Sequence, residues 1–285
     1  MSKLKIAVQK SGRLHDDSMQ ILKDVGISID NGKDQLKASA KNFPLEVFYL
    51  RNGDIPQYLK DGVVDVAIIG ENVLVEKGQG IKIIEKLKFS SCKVSVAVPK
   101  SKTYSSIKDL EGKRIATSYP NTVNQFLEKN NVKANLHIIS GSVEIAPSIG
   151  LADAIVDIVS SGSTLFKNGL KEVEVLLKSE AVLAVSPLIS SENQEILDKL
   201  QFRLQSVLRG RQNKYVLLNA PDDKLEAIVN ILPGMNSPTI LPLAKEGWSS
   251  LHSVINKNEF WEVIDELKRH GAEGILVCPI ENMVL

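Results

Sequence analysis

Short runs rich in Val and Ile alternate along this chain with segments of helical periodicity, and that alternation leaves few architectures open. Strand candidates lie at 4–9, 45–50, 65–69, 82–87, 94–99, 114–117, 136–139, 155–159, 173–177 and 181–185. Helical patterns lie between them at 16–25, 55–60, 122–129 and 143–151. Several runs are apolar throughout rather than at every second residue. That pattern fits strands buried on both faces, as in parallel sheets covered by helices. With 285 residues the chain has room for two or three domains.

An internal echo refines this picture. GVVDVAIIGENVL (Gly62–Leu74) lines up with AIVDIVSSGSTLF (Ala154–Phe166), which sets Asp65 on Asp157 and Gly70 on Gly162. Each copy is an acid, an apolar strand and a glycine at the strand's carboxyl end, where open α/β sheets bind ligands. Two copies imply two similar lobes with a ligand cleft between them; the alternative is chance recurrence of Val, Ile, Asp and Gly.

After Ser186 the character changes. Residues 191–211 form a long helical pattern with Ile196, Leu200, Leu204, Val207 and Leu208 on one side. The charged segment 209–214 reads as a linker. Beyond it a strand (215–219), a helix (222–232), two strands (239–243 and 250–255), a helix (259–270) and a strand (274–279) follow. This βαββαβ order is that of a ferredoxin-like unit, a module often appended to enzymes for regulation.

The formal net charge of +1 excludes nucleic acid as a bulk electrostatic partner. No run is long enough to span a bilayer, and the first residues enter a strand rather than a signal peptide, so a cytoplasmic protein is expected. Cys92 and Cys278 stand far apart without a partner motif and read as reduced, mostly buried residues. The histidines His15, His137, His252 and His270 form no zinc-ligand spacing with them.

The chemistry concentrates in Ala152–Gly169. Asp153 precedes an apolar run and Asp157 lies within it; the run then breaks into Ser160, Ser161, Gly162, Ser163 and Thr164 before a helical start. Unpaired N–H groups at a helix start, hydroxyl donors and a glycine that permits close approach make a phosphate cradle. The same loop would also serve as an ordinary helix cap. The upstream acids could accept from sugar hydroxyls or hold Mg²⁺ through water. Lys10, Arg13 and Arg51 follow strand candidates at their carboxyl ends and could face a polyanion in the cleft. Glu71 either reads a nucleoside or caps a helix, and Tyr119 either stacks on a base or packs in the core.

Glu144, Gly150, Ala152, Ile155, Asp157, Ile158, Ser161, Gly162, Thr164 and Leu165 stand at the spacing of the ATP phosphoribosyltransferase signature. Segments 9–18, 61–74, 112–120, 168–176 and 232–244 resemble the same family, so the likeness covers essentially the whole chain, in the family's long form. The resemblance implies an α/β fold: a two-lobed, periplasmic-binding-protein-like catalytic core plus a C-terminal ferredoxin-like regulatory domain. The corresponding boundaries are 1–93 with 178–210 for lobe I, 94–177 for lobe II and 211–285 for the regulatory domain. The implied reaction is the first step of histidine biosynthesis, in which N1 of ATP displaces pyrophosphate from phosphoribosyl pyrophosphate. It further implies Mg²⁺ held mainly by substrate phosphates, a homo-oligomer that is dimer or hexamer, and feedback inhibition by L-histidine.

On that basis Asp153 and Asp157 are expected to be catalytic, and Ser160 to Thr164 to bind phosphoribosyl pyrophosphate. Lys10, Arg13, Arg51, Glu71 and Tyr119 are expected at ATP, and Met235, Ser237 and Thr239, in the loop 234–239, at histidine. A two-lobed solute-binding protein, a porphobilinogen deaminase-like transferase and a stand-alone amino-acid sensor are the competing readings. The first predicts an export signal or a partner subunit, the second a cofactor-bearing cysteine loop, and the third leaves the first two hundred residues idle.

Overall fold

A computed structural model describes residues 2–30, 35–232, 234–235 and 237–285. The chain divides into two compact units, Met1–Leu197 and Asp198–Leu285.

The first unit opens with β1 (Leu4–Gln9), α1 (Arg13–Asp24), β2 (Lys37–Ser39), β3 (Leu45–Leu50), α2 (Ile55–Lys60), β4 (Val66–Gly70), α3 (Glu71–Lys77) and β5 (Lys82–Lys86). It continues with β6 (Cys92–Pro99), β7 (Arg114–Thr117), α4 (Pro120–Lys129), β8 (Asn135–Ile138), β9 (Ala154–Val159), α5 (Ser163–Lys167), β10 (Leu170–Ser179) and β11 (Ala181–Val185). One sheet has the order β2-β3-β1-β4-β11-β5 and the other β10-β6-β9-β7-β8. We call the parts built on them lobe I and lobe II.

The lobes share one plan. In each, three parallel strands (β3-β1-β4 and β8-β7-β9) are followed by an antiparallel strand, β11 or β6, reached by a chain crossing from the other lobe. The crossings lie between Lys86 and Cys92 and between Ser179 and Ala181. The expected uninterrupted apolar runs are the central strands, with Ile6, Ile68, Ile69, Ile115, Ile155 and Leu183 all fully buried. Burying such a side chain contributes about 2 kcal/mol.

The echo is real in structure but in a different register. Lys5 N–H donates to Asp65 Oδ2 (2.7 Å) while Asp65 N–H donates to Lys5 O (2.9 Å). Arg114 N–H donates to Asp153 Oδ2 (3.0 Å) while Asp153 N–H donates to Arg114 O (2.8 Å). The structural counterpart of Asp65 is therefore Asp153, not Asp157. Both acids staple the amino end of a central strand to its parallel neighbour.

Other expectations change as well. The helix expected over 143–151 shrinks to a 3₁₀ turn, Val143–Ile145. Pro147 lacks an N–H and Gly150 takes a left-handed φ of 76°, so a helix cannot propagate there. Cys92 is half-buried and Cys278 exposed, rather than both buried.

The long helix α6 (Ser191–Gln212) runs straight into β12 (Asn213–Pro221), so residues 209–214 are no linker. The boundary between the compact units falls inside α6 instead. Gly210 lies within this helix for a packing reason: a Cβ there would stand 2.7 Å from the carbonyl oxygen of Ile280, so glycine lets the C-terminal backbone lie against this turn. Leu197 takes the buried place assigned to Ile196.

The second unit continues with α7 (Leu225–Ile231), β13 (Thr239–Pro242), β14 (Trp248–Asn256), α8 (Phe260–Arg269) and β15 (Glu273–Pro279). Its antiparallel sheet has the order β13-β14-β12-β15, the ferredoxin-like arrangement expected from βαββαβ. Val216, Leu218, Ala220, Leu251 and Ile255 pack with Ile228 and Leu267 of the two helices on one face.

Candidate functional site

Strand direction decides what can meet. β1, β3 and β4 run parallel, so Lys10, Arg51 and Glu71, which follow them, share the carboxyl edge of lobe I. β7 and β9 run parallel in lobe II, so Tyr119 and the loop 160–162 share its carboxyl edge. β6 and β10 are antiparallel, which sets Cys92 opposite Ser179 at that same end. Both crossings thus emerge where the carboxyl edges of the two lobes face each other.

A cavity of about 510 Å³ opens there. Ser160 lines it together with Lys86, Lys88 and Cys92 from the first crossing and Lys178 from the second. Three lysines of this wall are engaged by acids: Lys86 with Glu71 (3.3 Å), Lys88 with Glu180 (3.7 Å) and Lys93 with Glu172 (2.6 Å). These lysines carry no signature, because they lie at or beside the strand ends that flank the first crossing. The only local cue is KLK at 86–88, two cations at alternate positions past a strand end.

The loop 160–162 joins β9 to α5, as its sequence suggests. Gly162 sits at the N-cap of α5 with φ 74° and supplies no side-chain cap. Ser161 Oγ lies 3.0 Å from Ser163 Oγ, and Ser160, Ser161, Ser163 and Thr164 are exposed. Ser163 N–H makes a long bond to Ser161 Oγ (3.5 Å), and the helix start carries first-turn N–H groups without intrahelical partners. Arg13 Nη1 donates to Ser160 Oγ at 3.3 Å, which brings a cation of lobe I onto the loop of lobe II. Arg13 also pairs with Asp17 at 3.7 Å, whose Oδ2 accepts from Ser90 Oγ of the first crossing at 2.7 Å.

The two acids separate. Asp157 is half-buried near the loop, and burial pushes its carboxyl above the ordinary range, with Glu144 adding to the effect. Asp153 stands at the amino end of β9, seven residues before Ser160, or about 23 Å of strand away. There it forms a two-pronged pair with Arg114 (Nη2 to Oδ1 3.0 Å, Nε to Oδ2 3.2 Å) that holds its carboxyl down at about 2. The structure does not bring Asp153 to the loop.

Tyr119 does not present its ring to a ligand. It is buried in the lobe II core, and its hydroxyl accepts from Asn72 Nδ2 at 2.9 Å. Lys10 and Arg51 are exposed at the cleft edge, and Lys10 N–H donates to Leu50 O at 2.8 Å. In the second unit Met235 is half-exposed, Ser237 Oγ donates to Pro238 O at 3.3 Å, and Thr239 begins β13 opposite His252. Asn236, in the same loop, lies outside the described residues.

Fold and cleft together define the class: a two-lobed α/β core, with a ferredoxin-like module in the second unit. Residues 51–206 match the model of HisG, ATP phosphoribosyltransferase, and residues 210–282 match that of the HisG C-terminal domain. The ATP phosphoribosyltransferase of Cytophaga hutchinsonii is 53% identical over 99% of this chain and 98% of its own. That of Parabacteroides distasonis is 55% identical over 99% of this chain and 100% of its own. A solved ATP phosphoribosyltransferase (HisG:HisZ) complex from Thermotoga maritima superimposes with a TM-score of 0.62 at 29% identity, covering 72% of this chain and 98% of that one.

The chain belongs to the ATP phosphoribosyltransferase family, in the long form that includes the C-terminal domain. It is a phosphoribosyl-transferring enzyme, the first of the histidine pathway. No helix among the described residues is long and apolar enough to cross a membrane.

Proposed function

We propose that this enzyme transfers the phosphoribosyl group of phosphoribosyl pyrophosphate to N1 of ATP, giving phosphoribosyl-ATP and pyrophosphate, and that L-histidine inhibits it through residues 211–285. The contact of Arg13 with Ser160 carries the reading, because it joins a cation behind β1 to a hydroxyl loop behind β9 across the cleft. A displacement at an anomeric carbon needs two polyanions aligned and the leaving group neutralised rather than covalent help.

In this mechanism Ser160, Ser161, Gly162, Ser163 and Thr164 hold the 5′-phosphate. Asp157 accepts from the ribose hydroxyls, and its charge offsets the positive charge that develops at C1. The lone pair of N1 forms the new bond while the electron pair of the C1–O bond leaves with pyrophosphate. Lys10, Arg13 and Arg51 face the triphosphate of ATP, and the lysine wall of the crossings faces the departing pyrophosphate. Glu71, already engaged by Lys86, orients that lysine.

Among the described residues no three His, Cys, Asp or Glu side chains converge as a metal-ligand set. Mg²⁺ commonly keeps several waters and is held by substrate phosphates with one or two carboxylates, a mode that Asp157, three residues before the loop, would fit. When bound, the ion neutralises pyrophosphate charge.

We assign residues 1–93 with 178–197 to lobe I and 94–177 to lobe II, a division that the two sheets support to within two residues at each crossing, and residues 198–210, expected in lobe I, to the second unit. Met235, Ser237 and Thr239 would contact histidine. The working form is a cytoplasmic homo-oligomer, dimer or hexamer, whose balance histidine shifts.

The test is ultraviolet-monitored product formation with ATP, phosphoribosyl pyrophosphate and Mg²⁺, with pyrophosphatase and with or without L-histidine. Product that needs all three and falls with histidine is the expected result. Product unaffected by histidine would remove the regulatory half of the proposal.

A further inference from the structure

Glu76 is a carboxylate that the proposed chemistry does not use, and it is 6% exposed. It lies on α3 of lobe I, yet every hydrogen bond of its side chain goes to α4 of lobe II. Oε1 accepts from the N–H of Asn121 at 2.9 Å. Oε2 accepts from the N–H of Thr122 at 2.9 Å and from Thr122 Oγ1 at 2.8 Å. The carbonyl oxygen of Glu76 accepts from Asn121 Nδ2 at 3.0 Å.

These bonds complete a helix terminus. α4 begins at Pro120, which has no N–H, and its N-cap residue Tyr119 makes no side-chain cap. Val123 N–H is taken by Tyr119 O at 3.0 Å. The two remaining first-turn donors are those of Asn121 and Thr122, and both end on Glu76. A helix of one lobe is thus capped by a buried carboxylate of the other, where the charge also meets the positive end of the helix dipole.

One turn earlier on α3, Asn72 adds to the same seam. Its Nδ2 donates to Tyr119 OH at 2.9 Å, and its Oδ1 accepts from Ser179 Oγ at 2.9 Å, beside the second crossing. Asn72, Glu76 and Thr122 are all buried at this seam, where a lower local dielectric strengthens the hydrogen bonds between the lobes.

We infer that Glu76 is a positioning residue for the transfer: as the cap of α4 it fixes the angle between the lobes at which Arg13 meets the Ser160 loop. The inference rests on the reading that the two substrates are held from opposite lobes. Reacting atoms must approach to about 3 Å, and an error of about 1 Å at that distance costs up to about 100-fold in rate. A lobe that pivots by a few degrees at the seam moves the far edge of the cleft by that amount.

The experiment compares Glu76→Gln, Thr122→Val and Asp109→Asn with the wild-type full chain, reading kcat, both KM values and Tm. Glutamine keeps the size but offers one acceptor where two are needed. Thr122→Val deletes only the hydroxyl donor. Asp109 caps the turn at 107–110 within lobe II through the N–H groups of Ser105 and Ser106, so it controls for loss of a carboxylate cap that does not bridge the lobes. The expected result is a kcat at least about tenfold lower in Glu76→Gln and about threefold lower in Thr122→Val. KM for phosphoribosyl pyrophosphate, whose 5′-phosphate is held by the loop of lobe II, stays within threefold of wild type, and Asp109→Asn keeps its kcat.

An unchanged kcat in Glu76→Gln with a lowered Tm would reduce Glu76 to a structural cap and overturn the inference. So would a KM for phosphoribosyl pyrophosphate that rises as far as kcat falls. If Glu76→Gln does not fold, Thr122→Val decides alone: an unchanged kcat refutes. Failure of the loop reading has a separate signature, an unchanged KM in Thr164→Val.

Discussion

Asp153→Asn separates the two roles open to that acid. Its carboxyl is held from an ordinary 3.8 down to about 2 by Arg114, through both side-chain bonds and the backbone N–H. At about 1.4 kcal/mol per pKa unit that fall corresponds to about 2 kcal/mol if undamped. The Asp153 side chain is 41% exposed, so solvent screening reduces the contribution to about 1 kcal/mol. In a unit of this size 1 kcal/mol moves Tm by about 3 °C. Thermal unfolding at pH 7 should therefore show Asp153→Asn melting about 3 °C below wild type. The acid's pKa is depressed in the folded state, so its contribution is present above the unfolded pKa near 4 and is lost as pH falls from about 4 towards 2. Urea midpoints of the two proteins should accordingly converge over that window. In the product assay kcat and KM for phosphoribosyl pyrophosphate should stay within twofold of wild type. A kcat reduced about 100-fold at an unchanged Tm would refute the assignment of Asp153 as a strand staple and return it to the chemistry.

Asp157→Asn should do the reverse: burial raises this carboxyl's pKa, so removing its charge stabilises the fold at neutral pH, while kcat falls by about 30-fold or more. A wild-type rate that declines with acid around a midpoint above 3.8 would match the same raised carboxyl. Thr164→Val should raise KM for phosphoribosyl pyrophosphate about tenfold with Tm unchanged within about 1 °C, since one exposed hydroxyl donor to an anion is lost. Thr239→Val should raise the histidine concentration for half-inhibition about tenfold and leave uninhibited kcat alone; equal inhibition would remove Thr239 from the effector site.

Much of the fold is legible locally because burial on both faces leaves its mark residue by residue. The runs at 4–9, 45–50, 114–117 and 181–185 are strands with the bounds read from the sequence. The βαββαβ order of the tail gives a ferredoxin-like sheet because few connections among those elements are sterically allowed. The loop at 160–164 is likewise written in its own residues, since a left-handed glycine and small hydroxyls suit an uncapped helix start wherever the strand ends.

What stayed hidden depends on partners distant in sequence. Asp153 and Asp157 look equivalent in a list of acids, yet four residues of extended chain set them about 13 Å apart along β9, one at Arg114 and one near the loop. Tyr119 looks like a platform for a base and is instead a core residue tied to Asn72, because α3 of the other lobe packs over it. The lysine wall and the Glu76 cap carry no motif at all. They exist because β6 and β11 cross between lobes and fold the two carboxyl edges together. Periodicity and turn chemistry act within a few residues, so the sequence by itself determined most of the strands, the glycine loop at 160–164 and the family. Charge pairing and helix capping across the cleft act between segments tens of residues apart, and only the closed topology of the two lobes decided them.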